Sequence, residues 1–415
     1  MQNDQLNQYF ETKCDEVNRI YFEALLQKFR NQKVQDISIF HPVERPDSKV
    51  YPHAILDNKK LMPIKQYSEL SAENQILSDL VLIKMHAGIG SSVDRLDHLK
   101  AHSSRSSLGA KGTDLFVKGK SLAELQIEQV RILNKSPNFK KVFLKNLVNE
   151  ETREVVENLS QNCEVNLPVI TQFKMPTIDQ TGEISLERLA PGGHAFLGFY
   201  LLLDLLKNPV TEDQIVAIGN GEDLNSTPDL KILNWMEKEQ VPICMITTNK
   251  TVRDKKGGQL AVVKEEIPFL TIVEKAQAER ANQLEYFEAL GLREEDDFSL
   301  FNTNIVLINT KIMSKLIQEE GLTESEFIEI ITPDLIKNLK TQDGKEFIQL
   351  EGAIASVMLN IDKYFREKKE KQLIQFLNLN EVEREQFFIP IKKMEDFEMI
   401  LAKYKYSEIS GRFEL

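Results

Sequence analysis

The sequence predicts an α/β fold in which a mostly parallel sheet is covered by helices. From residue 80 onward, short apolar runs alternate with longer amphipathic stretches. The runs have the length of buried strands and lie at 80–83, 142–144, 169–171, 215–218, 243–247, 270–273 and 305–308. Helical stretches such as 122–133 and 229–239 stand between them. Ligands bind beyond the carboxyl ends of such strands, so the residues after each run are candidate site residues.

Composition excludes several classes of protein. The 415 residues are 41% hydrophobic and 28% charged, as in ordinary globular proteins. A net charge of −12 argues against nucleic-acid or membrane partners, because both need a basic face. No run approaches the roughly 18 apolar residues of a membrane span, and the amino terminus lacks a signal-peptide pattern. Cys14, Cys163 and Cys244 fit neither a disulfide framework nor a zinc site, so we expect free thiols in a cytoplasmic protein.

Changes in sequence texture divide the chain into three predicted parts. Residues 1–75 combine helical spacing around Tyr21 with a proline-punctuated stretch, which predicts an accessory layer that runs extended over a surface. Residues 76–332 form the predicted central domain. Residues 333–415 form a smaller carboxyl-terminal part that reads as helical, in which the charged run at 366–371 is interpreted as a solvated helix face.

The first chemical motif is a glycine-rich loop, Met-His-Ala-Gly-Ile-Gly-Ser-Ser at 85–92, directly after an apolar run. Glycines let backbone N–H groups approach a base or a phosphate, and the serine hydroxyls add donors. The spacing is that of neither a Rossmann dehydrogenase nor a P-loop. A tight turn without a ligand is the alternative interpretation.

Further motifs follow in order along the chain. They are Thr-Gln-Phe-Lys at 171–174, Pro-Gly-Gly-His at 191–194, Asn-Gly-Glu-Asp-Leu-Asn at 220–225, Lys-Thr-Val-Arg-Asp-Lys-Lys-Gly-Gly at 250–258, Phe-Asn-Thr-Asn at 301–304 and Phe-Ile-Pro-Ile-Lys at 388–392. An amide such as that of Gln172 offers both a donor and an acceptor to a base. Adjacent carboxylates at 222–223 are hard oxygen ligands of the kind that Mg²⁺ prefers. The series as a whole predicts a nucleotide-sugar site.

In order and spacing, these motifs resemble those of the eukaryotic-type UTP–glucose-1-phosphate uridylyltransferases. Residues 87–91 are similar to that family's Gly-Gly-Leu-Gly-Thr, residues 250–258 to its Lys-Thr-Arg-Ala-Asp-Val-Lys-Gly-Gly, and residues 388–392 to its Phe-Leu-Pro-Val-Lys. The resemblance covers about residues 76–395. It implies a Rossmann-like, GT-A-like nucleotidyltransferase fold. It also implies Mg²⁺-dependent formation of UDP-glucose and pyrophosphate from UTP and glucose 1-phosphate.

The resemblance implies a role for each matched residue. The implied nucleotide contacts are Ala87, Gly88, Gly90, Ser91, Gln172 and Gly193. The implied sugar-phosphate contacts are His194, Asn220, Gly258, Glu274, Asn302 and Asn304. Glu222 takes the family's metal position with Asp223 beside it, and Lys392 is the implied catalytic cation.

The chain departs from the family just after the glycine loop. Asp114 stands where the family has a lysine on the triphosphate, and residues 94–108 are an insert. The insert carries the cations Arg95, His98, Lys100, His102 and Arg105. We hypothesise that Lys111, or a cation of the insert, replaces the missing lysine by folding over the nucleotide. A disordered surface loop is the alternative. The family's carboxyl-terminal β-helix is not expected here.

Other functions remain open at this point. UDP-N-acetylhexosamine and broad-specificity UDP-sugar pyrophosphorylases share the architecture. A glycosyltransferase would want an Asp-x-Asp metal motif, which Glu222-Asp223 is not. A non-catalytic UDP-sugar-binding homologue is motivated by Asp114 and Glu222, and it predicts binding without pyrophosphate release.

Overall fold

The computed structural model describes residues 2–31, 40–42, 64–71, 75–88, 90, 93–179, 181–251, 254, 257–263, 269–280, 282–289, 299–342 and 344–415. The helices are α1 (Gln2–Lys13), α2 (Glu16–Asn31), α3 (Leu96–His102), α4 (Lys111–Asp114), α5 (Leu122–Lys135), α6 (Glu150–Asn162), α7 (Ala195–Lys207), α8 (Leu230–Lys238), α9 (Lys275–Arg280), α10 (Leu284–Ala289), α11 (Thr310–Glu320), α12 (Glu324–Ile331), α13 (Ile354–Lys369), α14 (Glu381–Phe387) and α15 (Met394–Lys403). The strands are β1 (Phe40–Pro42), β2 (Lys65–Gln66), β3 (Asp79–Met85), β4 (Phe116–Val117), β5 (Lys120–Ser121), β6 (Val142–Val148), β7 (Val169–Thr171), β8 (Met175–Asp179), β9 (Ile184–Ala190), β10 (Gln214–Asn220), β11 (Ile243–Asn249), β12 (Gln259–Val263), β13 (Phe269–Val273), β14 (Leu300–Asn309), β15 (Leu335–Gln342), β16 (Lys345–Gly352), β17 (Ile374–Leu379), β18 (Lys405–Ser407) and β19 (Arg412–Glu414).

The central sheet has the strand order β2-β17-β11-β14-β10-β3-β6-β7. All neighbouring pairs in it are parallel except those of β14, which runs antiparallel to β11 and β10. An antiparallel branch of β12, β13 and β1 leaves the sheet at β14. The prediction of a mostly parallel sheet is therefore confirmed, and every predicted apolar run lies in one of its strands.

Both faces of the sheet are apolar because helices cover both. In β3, Val81 and Ile83 face one core cluster, which contains much of α7 and α13, while Leu80 and Leu82 face the other, which contains Trp235 of α8. Successive strand residues point to opposite faces, so a strand buried on both faces becomes a continuous apolar run. This is the physical reason that the runs could be recognised in the sequence.

A smaller antiparallel sheet of order β15-β16-β8-β9 was not predicted. Strands β15 and β16 of this sheet form an antiparallel hairpin, although the region after residue 332 was predicted to be helical up to the charged run. The helical prediction holds for α13 but not for the hairpin before it. Arg366, assigned to a solvated face, is buried and donates from Nε to Asp362 Oδ2 at 2.7 Å.

The terminal parts are joined to the central sheet. Strand β17 pairs with β11, and β2 pairs with β17, so the predicted boundaries at residues 75 and 332 do not coincide with edges of the sheet. The predicted amino-terminal helix is α2, and its Tyr21, Phe22 and Leu25 are buried in the main core. Of the prolines predicted to run extended, Pro42 lies in β1, and those at 46, 52 and 63 lie outside the described residues.

The carboxyl ends of β3, β6, β7, β10, β11 and β17 meet along one edge of the sheet, which we call the carboxyl edge. Met85 and Asn220 are register partners there, so the loops after β3 and β10 leave the sheet side by side. The antiparallel β14 begins at the same edge. Among the described residues, each helix is too short or too polar to span a bilayer.

Candidate active site

The glycine loop leaves β3 at the carboxyl edge and is held from several sides. Asn149 donates from Nδ2 to the carbonyl of Ala87 at 2.6 Å. Gly88 is the next residue after Ala87 in the loop. Gly90 has a φ of +63°, and a Cβ there would lie 2.8 Å from Lys111 Cγ. A glycine is needed at this point because the backbone is left-handed and the lysine stem passes against it. Ser91 lies outside the described residues.

Lys111 joins the three segments that carry the implied phosphate chemistry. Its stem lies against Gly90, and its ammonium group pairs with the carboxylate of Glu222. The same Nζ donates to the carbonyl of Ile391 at 2.7 Å, next to Lys392. This placement fits the hypothesis that Lys111 replaces the family's lysine.

The insert at 94–108 is folded around Asp114 and is not a disordered loop. The Asp114 carboxylate accepts hydrogen bonds from Arg95 Nε at 3.0 Å and from Arg105 Nη2 at 2.8 Å. The side chains of Arg95 and Asp114 are 0% exposed. Arg95 Nη1 also donates to the carbonyl of Gly90 at 2.9 Å. Asp114 therefore pairs with both of these arginines of the insert. Among the proposed replacement cations, Lys111 is the one that contacts Glu222.

The two implied metal ligands have different surroundings. The Glu222 side chain is 12% exposed and faces Lys111. Asp223 is 1% exposed, and its carboxylate accepts backbone N–H groups of Asn225 at 3.0 Å and Ile389 at 3.2 Å. Burial raises the pKa of Asp223 above its ordinary value and lowers that of nearby Lys84. Asp223 thus holds the segment that leads to Lys392, and the metal-ligand prediction rests on Glu222.

Glu222 fits a magnesium site of the kind that keeps water and substrate phosphates. In the described part of the chain, no three acidic, histidine or cysteine side chains cluster as they would around a metal held wholly by protein. Mg²⁺ commonly uses one or two carboxylates, with phosphates completing its ligands. A single accessible carboxylate at the end of β10 meets that requirement.

Gln172 and Gly193, the implied base contacts, lie together. Gln172 follows β7, is 3% exposed and donates from Nε2 to the Gly193 carbonyl at 2.7 Å. Gly193 has a φ of +77°, and a Cβ there would lie 2.5 Å from the carbonyl oxygen of Gly352. The hydrogen bond fixes which way the amide of Gln172 faces.

His194 is held as a neutral imidazole at the start of α7. Its Nδ1 accepts the backbone N–H of Ile354 at 3.0 Å, so the ring proton is on Nε2. Burial lowers the pKa of His194 to about 4. The ring can therefore donate one hydrogen bond from Nε2 at neutral pH without adding charge. Asn220 ends β10 at the carboxyl edge, opposite Met85 of β3.

The implied sugar contacts form a second cluster at the carboxyl edge. A Cβ on Gly258 would lie 3.4 Å from Glu274 Oε1, and the Gly258 carbonyl accepts the N–H of Asn302 at 2.9 Å. Asn302 donates from Nδ2 to Asn304 Oδ1 at 2.9 Å. Asn304 has a φ of +60°, a conformation that asparagine tolerates, near a register shift between β11 and β14. The four residues predicted here are thus adjacent in space.

Lys392 is exposed, with its Nζ 5.4 Å from the ring centroid of Phe301, which precedes Asn302. The preceding helix α14 is tied to the loop at 250–258 through Arg384, which binds both Asp254 oxygens, at 2.5 and 2.9 Å. Such bidentate pairs fix geometry as well as charge. The loop that contains Asp254 and the segment that carries Lys392 are therefore held together by this ion pair.

The sequence analysis did not identify the buried residues that support the loop after β10. Lys84 donates to the carbonyls of Asp223 and Ser226, and His86 is 1% exposed beneath the loop after β10. A Cβ on Gly221 would lie 2.5 Å from His86 Nδ1. Lys84 could have been found from the sequence, because it directly follows the apolar run of β3. A lysine is almost never fully buried without a partner, so a lysine at this place indicates a buried polar contact.

A mostly parallel sheet with a glycine loop, lysines and amides at its carboxyl edge is the arrangement of a nucleotide-binding α/β protein. Within that class, the chain belongs to the UTP–glucose-1-phosphate uridylyltransferase family, because residues 20–414 match the sequence pattern of that family. This match confirms the resemblance stated from the motifs.

Individual relatives are similar over most of this chain. UTP–glucose-1-phosphate uridylyltransferase 2 of Dictyostelium discoideum is 24% identical over 81% of this chain and 65% of its own length. The enzyme of the same name from Hordeum vulgare is 25% identical over 71% of this chain and 59% of its own length. The chain thus spans less than two thirds of the length of these relatives.

Solved structures show the same fold. A mutant of UDP-glucose pyrophosphorylase from Leishmania major, solved in complex with UDP-glucose, has a TM-score of 0.71 at 20% identity. The comparison covers 99% of this chain and 80% of that one. A Trypanosoma brucei structure, named a UDP-glucose phosphorylase, has a TM-score of 0.70 at 18% identity, with the same coverage.

Proposed function

We propose that this chain transfers a uridylyl group from UTP to glucose 1-phosphate with Mg²⁺, giving UDP-glucose and pyrophosphate. The observation that carries the proposal is the convergence, at one carboxyl edge, of implied contact groups among the residues that the structure describes. The base-side pair Gln172–Gly193, the sugar-side cluster around Asn302 and the lysines all open there. Membership of the family supports the same reaction.

In this reaction, an oxygen of the sugar 1-phosphate forms a bond to the α-phosphorus of UTP. The bond from that phosphorus to the bridging oxygen of the β-phosphate breaks, and pyrophosphate leaves with the electron pair. The nucleophile is already an anion, so no general base is required. Catalysis then consists of positioning and charge stabilisation.

Lysines and a neutral histidine supply these two effects. Lys392 and Lys111 come from separate segments that meet at the Ile391 carbonyl. On nucleotide binding, Lys111 exchanges the Glu222 carboxylate for phosphate oxygens, while neutral His194 donates to the sugar phosphate from Nε2. Glu222 would hold Mg²⁺, which supplies further charge neutralisation on the phosphates when bound.

The test is pyrophosphate release from UTP and Mg²⁺ with glucose 1-phosphate, N-acetylglucosamine 1-phosphate and galactose 1-phosphate in parallel. We expect the fastest release with glucose 1-phosphate. Lys392→Ala should lower kcat by about 10²–10³-fold, because one charged donor to the transition state is lost. Lys393→Ala, a change of the adjacent exposed lysine, is the matched control.

Two other outcomes would replace this proposal. Fastest release with N-acetylglucosamine 1-phosphate would make the chain a UDP-N-acetylhexosamine pyrophosphorylase. Binding of UDP-glucose without release from any sugar phosphate would make it a non-catalytic homologue, as Asp114 and Glu222 first indicated. The position of Lys111 beside Glu222 supports turnover over that second outcome, because it supplies a cation although Asp114 stands where the family has its lysine.

We also propose that the protein works in the cytoplasm. Cys14, Cys163 and Cys244 are free thiols, as expected for a reducing compartment. Thiol labelling of protein denatured directly from cells should find all three reduced. Labelling of fewer would contradict this location.

A further inference from the structure

Helix α2, from the part of the chain that carries no matched motif, contacts the base side of the site directly. Asn18 is 0% exposed, and its side-chain amide binds the backbone on both sides of Gln172. Nδ2 donates to the carbonyl of Thr171 at 3.0 Å, and Oδ1 accepts the N–H of Phe173 at 3.0 Å. Asp15 holds the amide in place by accepting from the same Nδ2 at 2.8 Å.

Tyr21 makes the corresponding contact on the other segment. It lies one helical turn after Asn18 and is 1% exposed, and its hydroxyl donates to the carbonyl of Gly192 at 2.8 Å. The next carbonyl along the chain, that of Gly193, accepts from Gln172 Nε2. The ring of Tyr21 packs against Phe196 of α7, with centroids 5.5 Å apart. One turn of α2 therefore holds both backbone segments that the Gln172–Gly193 hydrogen bond joins.

The sheet leaves this position in need of such support. In the described part of the central sheet, β7 is an edge strand, and residues beyond Thr171 have left it. The N–H of Gln172 bonds inward to Val148 at 2.8 Å, while the groups on either side of it point outward. Edge groups of this kind stay unpaired unless another element covers them. Asn18 supplies to them the donor and acceptor that a further strand would supply.

We propose that Asn18 and Tyr21 are positioning residues that set the preference for uracil over cytosine. This rests on the proposed function, in which Gln172 reads the base. Uracil presents a donor at N3 and an acceptor at O4, whereas cytosine presents an acceptor and a donor at the same places. With Nε2 engaged by Gly193, the amide of Gln172 faces the base in one orientation. If Gln172 or Gly193 shifts, the amide can turn and accept cytosine.

The experiment compares kcat/KM for UTP and CTP in the full chain and in two variants, with glucose 1-phosphate and Mg²⁺. Tyr21→Phe removes only one hydroxyl, and Asn18→Ala removes the bridge. We expect the UTP-to-CTP ratio to fall about tenfold or more, the loss expected when a buried hydrogen-bond network no longer fixes a specificity group. In Asn18→Ala, KM for glucose 1-phosphate should stay within about twofold, since Asn18 binds the backbone around Gln172 and the sugar-side cluster around Asn302 lies on other strands.

Matched variants remove similar contacts far from the site. Tyr364→Phe removes a hydroxyl that binds Glu320 on the outside of α13. Asn134→Ala removes an amide that bridges the N–H and carbonyl of Val142, at the opposite end of β6. Neither control should change the UTP-to-CTP ratio, even where the melting temperature falls.

A variant that is less stable but keeps the wild-type ratio would overturn the inference, because the contacts would then be structural. If Asn18→Ala fails to fold, Tyr21→Phe decides alone. If the wild type releases no pyrophosphate, the proposed reaction fails instead, and the ratio of UTP and CTP dissociation constants replaces kcat/KM in the same variants. A wild type that binds neither nucleotide would overturn both proposals.

Discussion

Lys111 is the residue that we propose as the replacement for the lysine missing from the motifs. It is one turn before Asp114, on the four-residue helix α4, and points toward Glu222 and the Ile391 carbonyl. The sequence indicated a missing lysine and a set of possible replacements. It could not choose among them, because the choice depends on which cations Asp114 binds.

We predict that Lys111→Ala lowers kcat for pyrophosphate release by about a hundredfold, the cost of one donor to the transition state. Lys111→Arg should retain part of the rate, since the charge is kept. Lys100→Ala changes an exposed lysine of the insert and should leave kcat unchanged. Equal rates in Lys111→Ala and the wild type, measured at saturating substrates, would remove Lys111 from the mechanism.

We predict that His86 makes the stability of the protein depend on pH. Burial lowers the pKa of His86 to about 4, whereas an unfolded histidine titrates near pH 6.5. Between these values the unfolded state binds more protons, so the free energy of unfolding falls as the pH is lowered. We expect His86 to contribute about 2 kcal/mol of the loss between pH 7 and pH 5.

Urea unfolding at the two pH values, for the wild type and His86→Gln, measures this contribution. The variant should lose less stability on acidification than the wild type. His102→Gln, at an exposed histidine, is the control and should keep the wild-type dependence. An identical pH dependence in all three proteins would mean that His86 titrates normally.

Among the elements, the insert at 94–108 is the one that the family resemblance could not describe. It contains a short helix, α3, and a charge cluster in which the buried Asp114 carboxylate pairs with both Arg95 and Arg105. The acidic residue is therefore a partner for the insert and not simply a lost lysine. Arg95 connects this charge cluster to the glycine loop, because its Nη1 also donates to the Gly90 carbonyl.

We predict that Asp114→Asn lowers the free energy of unfolding by about 3–5 kcal/mol, because breaking a buried pair leaves an uncompensated charge. Asp114→Lys, which restores the family's residue type, should be worse and should not raise activity. Asp97→Asn removes an exposed carboxylate of the same insert and serves as the control. A stable, more active Asp114→Lys variant, judged by urea unfolding and pyrophosphate release, would refute this account.

Elements differed in how well the sequence predicted them. The α8 prediction was accurate because Asp229 caps the helix through Ile232 at 3.1 Å and the apolar spacing continues to Met236. The β15–β16 hairpin was missed. Its strands mix lysine, asparagine and glutamine with few apolar residues, and an antiparallel sheet with one face open to water has a weaker apolar pattern.

At the scale of the whole molecule, the central sheet contains strands from both terminal parts of the chain. Strand β2 near the amino terminus and β17 near the carboxyl terminus are neighbours in that sheet, and α2 packs into its main core. The division of the chain into three parts stays a prediction, and the structure shows that residues of all three parts contribute strands to one sheet.

We predict that the whole chain unfolds in one cooperative transition. Trp235 is the only tryptophan of the sequence and is 4% exposed in α8, so its fluorescence reports on the central core. Far-UV circular dichroism reports on all helices and strands. The two transitions in urea should coincide within error. Separate midpoints would show that the terminal parts unfold independently.

Local pattern in the chain was enough to establish the α/β class, the order of the strands' apolar runs and the motifs at their ends. Those features follow from side-chain period, glycine and the chemistry of single residue types, which act over a few neighbours. Packing decided the rest. The different surroundings of Glu222 and Asp223, the pairing of Asp114 with the insert and the contacts of Asn18 on both sides of Gln172 depend on residues up to 166 positions apart. No local pattern records such distances, because only the folded sheet brings those side chains and backbone groups together.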